Sequence, residues 1–130
     1  MKIEIREPIK IGKLAKSLGI TTRTIRYYEE IGLMPPPERQ DGGGRIYNSE
    51  EVLRLKFILK LKELGLSLDE GKELAEIYET ESQPVKLMPR LLEMLDGHIL
   101  KIDEKLSSIM DLRKEVTQYR AKIVEKMNVI

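Results

Sequence analysis

In the stretch TTRTIRYYEEIGL, residues 21–33, Arg23, Arg26, Tyr27 and Tyr28 fall close together. Arginines can fork onto phosphate oxygens or guanine edges, and a tyrosine hydroxyl can bond a phosphate while its ring packs on the sugar. At about 100° per residue, a helix that points Ile25 to the core carries Arg23, Arg26, Tyr27 and Glu30 about 100° to 200° away, facing outward. Such a face is either ordinary solvated surface or a surface that meets a polyanion, and charged surface is common. The segment that follows favours the polyanion. Three prolines end the helix after Leu33, and Asp41 with three glycines makes a turn flanked by Arg39 and Arg45. Arg45, Ile46 and Tyr47 read as a short returning strand, so the segment is a small β-wing whose arginines can straddle a phosphate backbone beside a groove-bound helix. A nucleotide cradle would need a Lys-Ser or Lys-Thr after the glycines and a buried strand before them, and neither is present.

The elements that must position these groups can be read from spacing. Ile11, Leu14, Ala15 and Leu18 recur at helical intervals from Ile9 until Gly19. Thr21 and Thr22 suit the N-cap of a second helix with Ile25, Tyr28 and Gly32 on its packing face. Two short helices joined by a Gly-containing turn make a helix-turn-helix. Asn48 with Glu51 has capping-box spacing for a third helix, with Val52, Leu55 and Leu59, joined by Phe57 and Ile58, on its core side and Arg54, Lys56, Lys60 and Lys62 on or near the other. Gly65 stops it, and Ser67 with Glu70 opens a fourth helix to about Tyr78. Residues 1–8 alternate apolar and charged and read equally as a short strand or a loose arm.

Composition removes whole classes of function. The 130 residues contain no cysteine, which excludes disulfides, thiolate metal sites and iron-sulfur clusters. The lone His98 reads as a surface or interface residue and the methionines Met88, Met94, Met110 and Met127 as coiled-coil packing, so no metal site and no cofactor is expected. No paired carboxylates, nucleophile with base or metal cluster stands out, so no catalytic residue is expected. Neither a secretory signal nor a membrane-spanning apolar run is found, which makes cytoplasmic the default. The net charge of +1 is unevenly placed: residues 1–66 hold 13 Lys+Arg against 9 Asp+Glu, and residues 67–130 hold 10 against 13. A basic amino-terminal half fits a polyanionic partner.

The order IGKLAKSLGITTRTIRYYEEIGL, then PPPERQDGGGRIYNSEEVLRLKFILKLKELGLSLDE, resembles the MerR family of bacterial transcription regulators over roughly residues 9–80. That resemblance implies a winged helix-turn-helix whose recognition helix addresses DNA through Thr22, Arg23, Arg26 and Tyr27. Arg39, Arg45 and Tyr47 would then act around the wing. Tyr28 matches the motif too, although the face arithmetic sets it nearer the core. Gly44 departs from the family pattern, where many relatives carry a large side chain. Gly71 departs where a β-branched residue or leucine is usual, at a cost of about 1 kcal/mol of helix propensity and some core contact.

Beyond residue 80, residues 81–89 read as a connector with Pro84 and Pro89, and residues 90–130 as one long amphipathic helix. A seven-residue row runs Met88, Leu95, Ile102, Ile109, Val116, Ile123 and Ile130, beside a second row of Leu92, Ile99, Leu106 and Met127. Arg113 and Arg120 interrupt the second row, with Leu112 and Tyr119 one position earlier. A helix of about 40 residues spans about 60 Å and cannot bury its stripe on an 80-residue domain. The resemblance supplies the partner: an antiparallel coiled coil with a second copy. The expectation is therefore a mainly α chain, a winged helix-turn-helix domain at residues 1–80 followed by a dimerisation helix. As a homodimer it would bind a near-palindromic promoter operator in double-stranded DNA, with RNA polymerase at the promoter. A small effector near residues 75–100, a protein partner and no effector all remain open. The alternatives are an architectural, excisionase-like DNA-bending factor and a helical protein-interaction adaptor.

Overall fold

The computed structural model describes residues 8–39, 43–80 and 85–129. The arm-or-strand alternative at residues 1–7, the wing turn at Asp41 and the connector segment 81–84 lie outside them. Strand β1 (Ile9–Lys10) leads into α1 (Ile11–Leu18) and α2 (Thr22–Glu30); β2 (Glu38–Arg39) and β3 (Arg45–Tyr47) follow, then α3 (Ser49–Glu63), α4 (Leu68–Thr80) and α5 (Leu87–Asn128).

The helix-turn-helix forms for the local reasons its sequence shows. Gly19 takes φ 68°, and its N–H reaches the Ala15 and Lys16 carbonyls, closing α1. Thr21 caps α2 by accepting the Thr24 N–H at 3.2 Å. Leu14, Ala15, Ile25 and Tyr28 bury where the helices meet. Gly32, expected on the packing face of α2, lies beyond the helix instead. It adopts φ 84° in a turn that delivers both the Leu33 and Met34 N–H groups to the Tyr28 carbonyl and sinks both side chains into the core.

A three-stranded antiparallel sheet in the order β1-β3-β2 places the wing. Ile9 pairs with Tyr47 and Lys10 with Ile46, so helical spacing begins at Ile11 rather than at Ile9. That pairing joins residues far apart in the chain, which local periodicity does not report.

Both capping boxes are formed. Asn48 accepts the Glu51 N–H while Glu51 accepts the Asn48 N–H, and Ser67 and Glu70 exchange the same two bonds. Val52, Leu55 and Leu61 bury from α3 and Leu74 from α4. Gly71 is not simply a lost contact: a β-carbon there would stand 3.3 Å from Leu33 Cδ2, so the bare backbone makes room for Leu33.

The chain divides into units 1–91 and 92–130. Helix α5 runs 42 residues, about 63 Å at 1.5 Å per residue. It starts at Leu87, ahead of the expected residue 90, because Pro89 falls in the first turn, where a missing N–H costs no helical bond. Along it Leu92, Ile99, Ile102, Leu106, Ile109, Val116 and Ile123 are each 41–62% exposed, and Leu95 is half-buried. No described helix is long and apolar enough to cross a membrane.

Candidate nucleic-acid interface

Helix α2 and the β2–β3 wing carry the groups suited to DNA. Arg23, Arg26 and Tyr27 all lie on the exposed face of α2, and Thr22 is half-buried at its start. Among the described residues no carboxylate pairs with Arg23 or Arg26, so two cations stand on the helix without an internal counter-charge. Tyr27 is 43% exposed, its ring tilted 46° to that of Tyr28 at 6.1 Å.

Tyr28 is 2% exposed, and its hydroxyl finds no hydrogen-bond partner among the described residues. Its ring belongs to the core, as the face arithmetic anticipates, and its hydroxyl carries a desolvation cost.

On the wing, Arg39 and Arg45 are opposed across the β2–β3 ladder. Directly opposed residues project to the same side of a sheet, so two like charges face one another and need an anion nearby. Among the described residues Glu29 supplies one, its Oε1 accepting from Arg45 Nη1 at 2.8 Å. Arg39 turns back on its own loop, donating Nη1 to the Gly43 carbonyl at 3.3 Å. Among the described residues nothing stands within 4 Å of where a β-carbon at Gly44 would lie, so none of them opposes the larger side chain of the family pattern.

Tyr47 departs from its expected place. Read as a wing contact to DNA, it is 0% exposed, and its hydroxyl donates to Glu29 Oε2 at 2.8 Å. Pairing with Ile9 turns its ring inward on the same face of β3 that sends Arg45 to Glu29. Burial first, and then the bond to Glu29, push the Tyr47 hydroxyl well above the usual phenol range, so it remains a donor.

Two residues escaped the sequence reading. Glu29 follows Ile25 by four positions, about 40° around the helix, so a carboxylate there borders the core and must find donors. That spacing was a usable signal. Arg54 offered none: expected on the outer side of α3, its side chain is 15% exposed. It donates Nε to the Leu33 carbonyl at 2.8 Å and Nη2 to Glu79 at 3.0 Å, and its guanidinium lies 5.4 Å from the Tyr78 ring centroid. Tyr78 in turn donates to Glu50 at 3.0 Å, the main reason its hydroxyl pKa is raised. This group of side chains fixes α4 on α3 and holds the turn that ends α2.

Beside it, a largely apolar groove of about 760 Å³ is lined by residues including Leu33, Leu53, Phe57, Leu74 and Met88. Its lining touches the region around residues 75–100, named above as one place for an effector.

Comparison with known proteins adds to this geometry. The family model described as "MerR HTH family regulatory protein" matches residues 9–77, and one described as "MerR, DNA binding" matches residues 52–119. The chain is 40% identical over 116 residues to the HTH-type transcriptional regulator ZntR homolog of Haemophilus influenzae, covering 89% of this chain and 84% of the relative. It is 38% identical over 105 residues to the mercuric resistance operon regulatory protein of Bacillus cereus, covering 81% of this chain and 75% of that protein. Among solved structures, HiNmlR, a MerR family regulator lacking the sensor domain and bound to promoter DNA, matches with a TM-score of 0.65 at 24% identity. That match covers 89% of this chain and 92% of the other, and at this identity it speaks for the fold.

Proposed function

The chain belongs to the MerR family of helix-turn-helix regulators and is a DNA-binding transcription regulator, and from that premise we propose that it binds a near-palindromic promoter operator as a homodimer and distorts it to control transcription, without catalysis. One observation carries the reading: Arg45 of the wing is hydrogen-bonded to Glu29 of α2, so the wing is tied to the helix that carries the exposed Arg23, Arg26 and Tyr27. On this reading Arg23, Arg26, Tyr27 and Thr22 approach a groove, while Arg39 and Arg45 hold the flanking phosphates. Tyr28 and Tyr47 act beneath them, supporting the helix and the strand. The exposed apolar row of α5 supports pairing of two copies, and a two-fold dimer matches two half-sites. Phosphate contacts at the ends then let deformation fall on uncontacted central steps. RNA polymerase is the partner whose access the distortion would control.

Selection from a random pool of duplexes by the full chain tests this. The enriched sequence is expected to be a near-palindrome. Arg26→Ala should lose about 1–3 kcal/mol of affinity for that operator, while Arg45→Ala should weaken both operator and scrambled duplex and lower the salt slope by about one. Enrichment of no sequence, or wild-type binding by both variants across the salt titration, overturns the proposal. Bending of the operator with no change of transcript from its promoter by purified polymerase would make the protein an architectural factor instead.

A further inference from the structure

The helix that reads and the wing that clamps lie on separate elements, and both must meet the same duplex in register. Glu29 is the side chain that joins them. It sits in the last turn of α2, its side chain is 6% exposed, and its two oxygens each accept from a different residue of β3. Oε1 takes Arg45 Nη1 and Oε2 takes the Tyr47 hydroxyl, both at 2.8 Å. Arg45 and Tyr47 are two apart on one strand and so share a face. A two-point attachment fixes the rotation of the strand against the helix as well as its distance, which one bond cannot do.

The donors differ in a way that matters for DNA. Tyr47 is wholly buried and anchors the strand to the core. The Arg45 side chain keeps 26% of its surface exposed, with one nitrogen engaged by Glu29. A guanidinium has five N–H donors in a rigid fork, so holding Nη1 from behind leaves the other edge for a second acceptor. A carboxylate under a DNA-facing surface is unfavourable by charge alone. Its place here is explained by what it holds.

We propose that Glu29 is a positioning residue for DNA recognition: through Arg45 and Tyr47 it sets the wing against the recognition helix and aims the free edge of the Arg45 guanidinium at a phosphate. The inference rests on the DNA-binding face assigned above. Glu29 acts through its two donors and does not itself touch DNA. Phosphate contacts fix register on the duplex, so a wing out of place should cost the operator complex most, whereas a scrambled duplex needs only positive charge. Removing the Glu29 charge frees the Arg45 charge, which a scrambled duplex can use wherever the wing lies.

The test measures the affinity of the full chain for the selected operator and for a scrambled duplex over a range of salt, with thermal melting to confirm that each variant is folded. Glu29→Gln is expected to reduce the operator-to-scrambled affinity ratio about tenfold, on the scale of one good contact. The salt slope on scrambled DNA should stay unchanged, because Arg45 keeps its phosphate contact there. Glu29→Asp keeps the charge but is one methylene too short to serve both donors, so the ratio should fall with the slope unchanged. Tyr47→Phe breaks one half of the attachment and leaves the ion pair, so it should lower the ratio less, again at constant slope. It also remains measurable should the Glu29 variants fail to fold. A purely structural role would lower both affinities together and leave their ratio alone. Wild-type ratios in the folded variants, with Arg26→Ala and Arg45→Ala still impaired, overturn the positioning role alone. Wild-type binding by Arg26→Ala and Arg45→Ala overturns the DNA-binding face and the positioning role with it.

Discussion

Tyr47 carries two duties in one side chain. Its ring packs in the core and its hydroxyl donates to the nearly buried carboxylate of Glu29. A hydrogen bond to a charged group is worth about 1.5–3 kcal/mol, and deleting the donor leaves one Glu29 oxygen without it. Tyr47→Phe should therefore destabilise the protein by about 1.5–2 kcal/mol in denaturant titration, with Phe filling the ring's space. A change under about 0.5 kcal/mol would mean that water replaces the hydroxyl, as at an exposed site. Arg23 and Arg26 behave differently. Lacking an internal counter-charge among the described residues, they should change DNA binding on mutation with little effect on stability.

Among the elements, an exposed ion pair links α4 to the start of α5. Arg90 donates Nη2 to Glu73 Oε1 at 3.0 Å and Nε to Oε2, a two-bond fork. The bond to Arg90 is the main cause that holds the Glu73 carboxyl below its ordinary value of 4.5. The sign follows from linkage. A carboxyl whose folded value is lowered contributes stability that is fully present above 4.5 and is lost as pH falls through the lower folded value. Wild type should thus melt above Glu73→Gln at neutral pH, and the gap should close in acid below 4.5. Both side chains are 40% or more exposed, so solvent screening keeps the gap small. A gap that persisted unchanged to strongly acidic pH would show that the glutamine variant differs by packing rather than by charge.

For the whole molecule, the decisive feature is the row of large apolar side chains left exposed along α5. A seven-residue repeat is the pattern of a helix that buries its seam against another helix. Ile109, near the middle of the row and 62% exposed, is the sharpest probe. Ile109→Glu would place a charge in the seam of each copy, and a like pair there is costly to bury. Sedimentation should then report a monomer for the variant and a dimer for the wild type, if the exposed row is the dimer seam. Operator affinity should fall by about 100-fold or more, because two linked half-sites gain from effective concentration what one alone does not. An Ile109→Glu variant that sediments as a dimer would place the seam elsewhere on the helix, for example along the Leu112 and Tyr119 positions where the row shifts.

What the sequence determined by itself is what short-range physics decides. Helix limits follow from Gly19 and Gly65, the caps from Thr21, Asn48 and Ser67, and the outward face of α2 from a period of 3.6 residues. Each depends on residues within about four positions of one another, so reading along the chain is enough. The positions of Arg23, Arg26 and Tyr27 belong to the same class. Only the tertiary structure decided that Ile9 pairs with Tyr47, that Arg54 reaches the Leu33 carbonyl, and that Glu29 holds Arg45 and Tyr47. These contacts join residues 16 to 38 positions apart, and each exists only after the elements have packed. An isolated charged residue in a sequence does not say whether it will face water or a buried donor. That is set by the neighbour that packing brings to it, which is why Tyr47, a wing residue by family resemblance, lies buried with its hydroxyl on Glu29.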